Sequence, residues 1–333
     1  MNERITGTLE MRGTALDPIH HGAGSIGNVS VARRQAFLLD DGSEVRVPYI
    51  SGNSIKHLIR DGGARFACEA LDIADGALSK GIVDLLFSGG GLTKGGSAVN
   101  IAKARDLERM FPLLSVCGYG AGNTMTASRV RPSHMHVVCA ENAFRLPADL
   151  VSHAHTQLRA EDLITEEFGT RHDTRSDGTV TRMLDLETRT TLEGAMAAKS
   201  KDKTASAKAE QSSQMIYEFE AIKAGSRLYG TIQIIDMNPL EIGALQSALG
   251  RACVGMHGDA HVFRLGGKSS VGFGRVAITF TGALRHIERP ATSESTELAR
   301  IGSDSASTHI AAYLDHIRAN RADIIEALQE ACE

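Results

Sequence analysis

Apolar and polar positions alternate over the first segment. Between Arg4 and Gly13, Ile5, Leu9 and Met11 fall on one face, the pattern of a half-buried strand. The glycine-punctuated run Leu16–Gly24 breaks that pattern and reads as a long loop, Leu16-Asp17-Pro18-Ile19-His20-His21-Gly22-Ala23-Gly24. Gln35–Leu39 and Glu44–Val47 are short strand candidates split by the turn Asp40-Asp41-Gly42. Pro48–Ser54 then leads into a helix, with Ile55, Leu58, Ile59 and Phe66 at helical spacing in spite of a weakening Gly62-Gly63. Helical stretches follow at Ser79–Phe87 and Ile101–Met110, separated by the glycine-rich run Ser88–Ser97. Leu113–Cys117 is expected to be a buried strand, Gly118–Gly122 a loop, and Arg129–Val138 a further strand.

From about Asp149 to Gln214 polar residues dominate. Met196–Glu210 is nearly all Ala, Lys and Ser, with Lys199, Lys201, Lys203 and Lys208 in a stretch too poor in apolar residues to fold alone. It reads as an insertion with a mobile tip. Alternation resumes at Gln214–Ile222 and Arg227–Ile235, which Lys223-Ala224-Gly225-Ser226 is expected to join as a hairpin. Asn238-Pro239-Leu240-Glu241 starts a helix with a cap, a first-turn proline and a capping-box acid, and its buried face continues through Leu245, Ala248, Leu249 and Ala252. His261–Leu265 and Gly274–Phe280 are strands around a glycine loop. A polar linker near Thr292–Ser305 precedes two helices with stripes Ile310, Leu314, Ile317 and Ile324, Ile325, Leu328. Strand, helix, strand, insertion, strands, helix, strand predicts an α+β, ferredoxin-like domain with large insertions.

Composition narrows the function classes. The chain has 333 residues and a net charge of −4, so no global basic field advertises nucleic-acid binding. Aromatics are 5% of residues, with no tryptophan, so repeated base stacking is not expected as the main mode; a bound RNA would be gripped by its ribose-phosphate backbone. Cys68, Cys117, Cys139, Cys253 and Cys332 are scattered and odd in number, which points to reduced thiols and the cytoplasm. No apolar run approaches the ~20 residues that span a bilayer, and the first residues lack the pattern of a signal peptide, so no membrane role is expected.

Two motifs carry candidate chemistry. In Leu265–Arg275, the first glycine of a P-loop would fall at Val262, and Gly272-Phe273-Gly274-Arg275-Val276-Ala277 runs into a strand instead of opening a helix. Nucleotide cofactors are therefore disfavoured and none is expected. Gly267, Lys268, Ser269 and Ser270 could still grip phosphates, while a tight strand connection needing positive φ is the plainer alternative. In Val47–Arg60, Ser51, Gly52, Asn53 and Ser54 place amides and small polar groups at a helix start, with Lys56 and Arg60 four apart on one face. A capped helix with solvated basic residues explains the same pattern. His134 and His136 share a strand face with Cys139, His153 and His155 nearby in sequence; ordinary histidines are preferred to zinc there, and no catalytic triad can be assigned.

Together, Pro48–Arg60, the His20-His21-Gly22-Ala23-Gly24 loop, Gly118-Tyr119-Gly120 with Ser128-Arg129-Val130, and Gly266–Arg275 resemble the large backbone subunit of the RAMP superfamily of CRISPR proteins, over about Ile5–Phe280. Length and the lysine-bearing insertion look most like the type IV form. The resemblance implies an RRM-like palm over residues 1–148 and 214–285, with a finger-like insertion at about 72–112. A thumb hairpin would occupy residues 149–213, and a linker with helices 286–333. It further implies RNA contacts at His20, His21, Ser51, Asn53, Ser54, Lys56, Arg60, Arg129, Gly267, Lys268, Ser269 and Ser270. The implied partners are CRISPR RNA, copies of the chain in a head-to-tail filament, other effector subunits, and a target nucleic acid paired to the guide. Type III relatives that cleave target RNA carry an aspartate where this chain aligns Asn28, which cannot act as an anionic base or metal ligand. A subunit without catalytic residues or metal is therefore expected; the alternative is a type III-like backbone subunit that also cleaves target RNA with divalent metal and a misaligned aspartate, for which Asp17 is the nearby candidate.

Overall fold

The first alternating segment forms β1 (Glu3–Ala15), with Ile5, Leu9, Met11 and Ala15 buried and Arg12 and Thr14 on the other face. The computed structural model describes residues 3–90, 100–172, 185–187, 190, 214–288, 294–300 and 304–332. After β1 come β2 (Gly22–Ile26), β3 (Val29–Ala32), β4 (Arg34–Leu38), β5 (Glu44–Ile50), α1 (Gly52–Ala70), α2 (Lys80–Val83), α3 (Ile101–Met110) and α4 (Pro112–Cys117). The middle of the chain holds β6 (Gly120–Ala121), β7 (Thr124–Met125), β8 (Val130–Pro132), β9 (Met135–Val137), α5 (Ala148–Val151), β10 (Ile164–His172) and β11 (Gln214–Ile222). The remainder is β12 (Arg227–Met237), α6 (Pro239–Ala252), β13 (Gly255–His257), β14 (Ala260–Arg264), β15 (Arg275–Glu288), β16 (Glu294–Arg300), α7 (Asp304–Ala319) and α8 (Arg321–Cys332).

Two compact units result: Met1–His21, Arg33–Ile164 and Ile222–Glu333 in the larger, Gly22–Ala32 and Thr165–Ala221 in the smaller. The larger is built on a sheet ordered β13-β14-β15-β1-β12-β9-β5-β4, with β16 also on β15 and β8 also on β12. The central strands β15-β1-β12-β8/β9 are all antiparallel, and their connections run β1, α1, β8/β9, β12, α6, β15. That is the ferredoxin-like order. Ile55 and Ile59 of α1 join Leu245, Ala248 and Leu249 of α6 in one core with the strand residues.

Gly62-Gly63, which weakens the helix as a sequence, is what lets α1 approach its neighbours. A Cβ at Gly62 would stand 2.3 Å from the Ala248 carbonyl oxygen, and one at Gly63 2.4 Å from Leu113 Cδ1. The capping box expected at Asn238 and Glu241 is present. Buried Tyr313 and Ile317 bring α7 onto the same core.

Six expectations are corrected. Leu113–Cys117 is helical: the run is too short for its periodicity to discriminate, and Pro112 presets its first turn. Arg129–Val138 is two strands broken at Ser133-His134. Gly22-Ala23-Gly24 is not loop but part of β2, while Gly120-Ala121 pairs with β7. Lys223–Ser226 does not close a hairpin, because β11 and β12 enter different sheets; Lys223 N–H donates to Leu163 O and Gly225 N–H to Ala15 O. The Thr292–Ser305 linker contains β16, whose alternation is too polar to stand out until it pairs with β15.

The smaller unit holds a sheet ordered β10-β11-β3-β2, in which β3 runs parallel to β11, and Ala32 N–H donates to Glu220 Oε2 at 2.7 Å. Of the described residues in the segment 149–213, those to Ile164 fall in the larger unit and those from Thr165 in the smaller. The lysine-bearing stretch Met196–Glu210 lies outside the described residues. Among the described residues no helix is long and apolar enough to cross a membrane.

Candidate nucleic-acid interface

Three motifs far apart in the chain meet at the start of α1. The connection after β1 reaches the glycine loop, where Gly267 N–H donates to His20 O at 2.7 Å. One residue on, Ser51 N–H donates to His21 Nε2 at 3.2 Å. From the break between β8 and β9, His134 Nδ1 accepts Gly52 N–H at 2.9 Å. Ser51 is the cap, its Oγ accepting Ser54 N–H at 3.2 Å.

A histidine can accept an amide proton only when neutral. Burial first, then Arg33, His20 and His134, push the His21 imidazole down to about 4. Burial, Arg145 and Arg33 lower His134. The Ser51 and Gly52 amides are therefore already satisfied by protein, which corrects the expectation that Ser51–Ser54 offers a row of free amides to an anion. Asn53 is exposed on the first turn, and no acid lies in that turn. Lys56 follows, its ammonium pKa lowered by burial and then by Arg60 and the exposed Arg131.

Arg60 and Arg129 have internal tasks. Arg60 Nη2 donates to Cys117 O and Gly118 O at 3.1 and 3.0 Å. Arg129 donates through Nε to Ser115 Oγ at 2.7 Å and lies 3.2 Å from Glu241, which is 4% exposed. Arg60 thereby holds the turn after α4, and Arg129 ties Ser115 of α4 to the start of α6.

The glycine loop is shaped by close approach and by left-handed backbone. Gly266 has φ +85°, and a Cβ there would stand 2.5 Å from His20 O; Gly274 has φ +88° and would meet Leu265 O at 2.4 Å. Lys268 is itself left-handed at φ +61°, a strained conformation for a residue with a side chain. Ser269 and Ser270 are exposed on a single helical turn, and Arg264 Nη1 donates to Ser269 O at 2.7 Å.

The possible nucleolytic carboxylate is committed. Asp17 accepts from Arg275 Nε and Nη2 at 2.7 and 2.8 Å, and that pairing lowers its pKa. Asn28 sits in the exposed β2–β3 turn of the smaller unit. His136 Nε2 meets Gln35 Oε1 at 2.6 Å, and the His153 and His155 rings meet edge to face with centroids 4.8 Å apart. Among the described residues no three His, Cys, Asp or Glu side chains gather as metal ligands.

Reading along the chain missed Arg131, Tyr49 and the role of His134. Tyr49 stacks on His134 with ring centroids 4.5 Å apart. His134-x-His136 was visible as a pair, but nothing in its spacing points to the helix start whose Gly52 amide His134 accepts.

A family model described as the RAMP superfamily matches residues 13–277. A solved chain titled "Type IV-B CRISPR Complex" is similar in fold with TM-score 0.50 and 17% identity, covering 82% of this chain and 90% of that one. "Crystal structure of Thermofilum pendens Csc2" is a weaker likeness, with TM-score 0.38, 13% identity, and coverage of 99% and 81%. A comparison with curated proteins finds no match.

Proposed function

Because this chain belongs to the RAMP superfamily, we propose that it is a backbone subunit of a type IV-like CRISPR effector complex, assembling head-to-tail along a guide RNA. The observation that carries this reading is the convergence of His20-His21, the start of α1 and the Gly266–Gly274 loop, three separated motifs, on one place in the fold. Lys56, Arg131 and Lys268 supply positive charge there, so RNA is held by phosphate and shape while its bases remain available to pair with a target. The partners are CRISPR RNA, further copies of the chain, other effector subunits and, through the guide, a target strand. The subunit itself is not a nuclease on this reading, since Asp17 is engaged by Arg275 and Asn28 stands at the aligned cutting position.

The test is purification and RNA titration. Protein with CRISPR RNA should sediment as large RNA-containing particles that shrink on nuclease treatment; a monomer that ignores added guide refutes the reading. Lys56→Ala and Lys268→Ala should each weaken binding about equally for all sequences and lower the salt slope by roughly one. The Lys201/Lys203 double alanine should matter less; its dominance would put the RNA path elsewhere.

A further inference from the structure

Composition argued against base stacking, yet the larger unit gathers part of its small aromatic complement into one chain of rings. Phe144, 65% exposed, meets Phe37 edge-on at 6.0 Å. Phe37 meets His136 at 5.3 Å, His136 meets Tyr49 at 5.4 Å, and Tyr49 stacks on His134 at 4.5 Å. The chain thus runs from an exposed phenylalanine to the histidine that accepts the Gly52 amide at the start of α1. The Arg145 guanidinium lies 5.0 Å above the Phe37 ring, and Arg145 makes no ion pair with a carboxylate among the described residues. The charges acting on His134 come from Arg145 and Arg33, and those on His136 from Arg145 and His134, with no carboxylate among them.

An exposed apolar ring would by itself suit many partners. Its setting selects one. An arginine without an acid partner favours an anion, and a ring with an accessible face beside it favours a flat, polarisable group; a nucleotide joins both in one residue. An acidic or apolar peptide would leave either the aromatic face or the charge unmatched.

We propose that Phe144, with Arg145 and Phe37 behind it, is a stacking site for one unpaired nucleobase of a single strand, Arg145 taking the adjacent phosphate. This rests on the RNA-binding reading above and adds a subsite to it that touches a base, not only the backbone. The shared chemistry, an unpaired base with its phosphate, can come from the guide RNA or from a single-stranded target.

The experiment uses the full chain, freed of co-purified nucleic acid, and fluorescent single-stranded RNA and DNA of equal length. Each is made with all its bases, and as a partner set carrying one abasic position that is walked along the oligonucleotide. For wild type, one or more abasic positions should weaken binding by about ten-fold, the typical contribution of one base on an aromatic face. Phe144→Ala should lose the same factor on the intact strand and become indifferent to the abasic position, whereas Phe144→Tyr should restore the difference. Phe144 is exposed, so folding is checked by an unchanged melting temperature. The strand type that shows the effect identifies the source of the base. If wild type binds RNA but Phe144→Ala discriminates abasic positions as wild type does, the stacking site is wrong while the RNA-binding reading stands. If Phe144→Ala instead changes the oligomeric state of the nucleic-acid-free protein, the ring is a protein contact and the proposal is overturned. If wild type binds no RNA at all, the underlying reading falls first.

Discussion

Acidification should loosen the start of α1 through its two histidine acceptors. His21 and His134 accept the Ser51 and Gly52 amides only as neutral imidazoles. The charges that act on them come from Arg33, Arg145 and His20 and, on His21, from His134, with no carboxylate among them. The His21 pKa falls from an ordinary 6.5 to about 4 in the folded chain. Between those values the unfolded chain binds a proton and the folded chain does not, so stability is complete above pH ~6.5 and declines as pH falls towards ~4. At 1.36 kcal/mol per pH unit the ceiling is about 3 kcal/mol, and screening of a half-buried ring reduces it to about 1–2 kcal/mol. His134 shifts in the same direction and adds to the loss. Urea melts at pH 7.5, 6.5, 5.5 and 4.5 would follow this on wild type and on a His21→Gln, His134→Gln double variant, which keeps amide acceptors without the titration. The double variant should lose less stability across that range. Parallel pH profiles for the two proteins would refute the reasoning. Asp17, whose pKa is lowered from 3.8, loses its contribution only below that range and does not confuse the comparison.

Other perturbations separate structure from binding. Arg129→Met removes the nearer of the two cations beside nearly buried Glu241, 3.2 Å against 3.9 Å for Arg4, so denaturation should show a loss of about 2–4 kcal/mol, with RNA affinity of the folded fraction unchanged. A variant as stable as wild type would return Arg129 to the list of RNA contacts. Gly62→Ala adds helix propensity worth about 1 kcal/mol but places a Cβ 2.3 Å from the Ala248 carbonyl, so the net change should be destabilising by about 1–3 kcal/mol; a stabilised variant would contradict the packing. Guide-complementary RNA should survive Mg²⁺ or Mn²⁺ with both wild type and Asp17→Ala. Regular cuts that Asp17→Ala abolishes would make that carboxylate catalytic.

Much of this protein was legible along the chain because the signals were local. Period-two burial in β1, the capping box at Asn238 and the glycine loop depend on neighbours within a few residues, and together they set the α+β order of elements. The motifs His20-His21, Ser51–Ser54 and Gly266–Gly274 could likewise be marked as a set. What they do to one another could not. Whether an amide at the start of α1 is open or occupied depends on His134, some eighty residues away, and whether Arg60 or Arg129 reaches solvent depends on carbonyls and a carboxylate from other elements. The same limit explains Leu113–Cys117, buried all round and so without a period, and β11 and β12, whose turn signal was sound but whose partners lay in different sheets. Local sequence sets backbone preference and capping. Only the tertiary structure decides which polar groups are already satisfied, because a buried donor or acceptor must find its partner wherever the chain brings one.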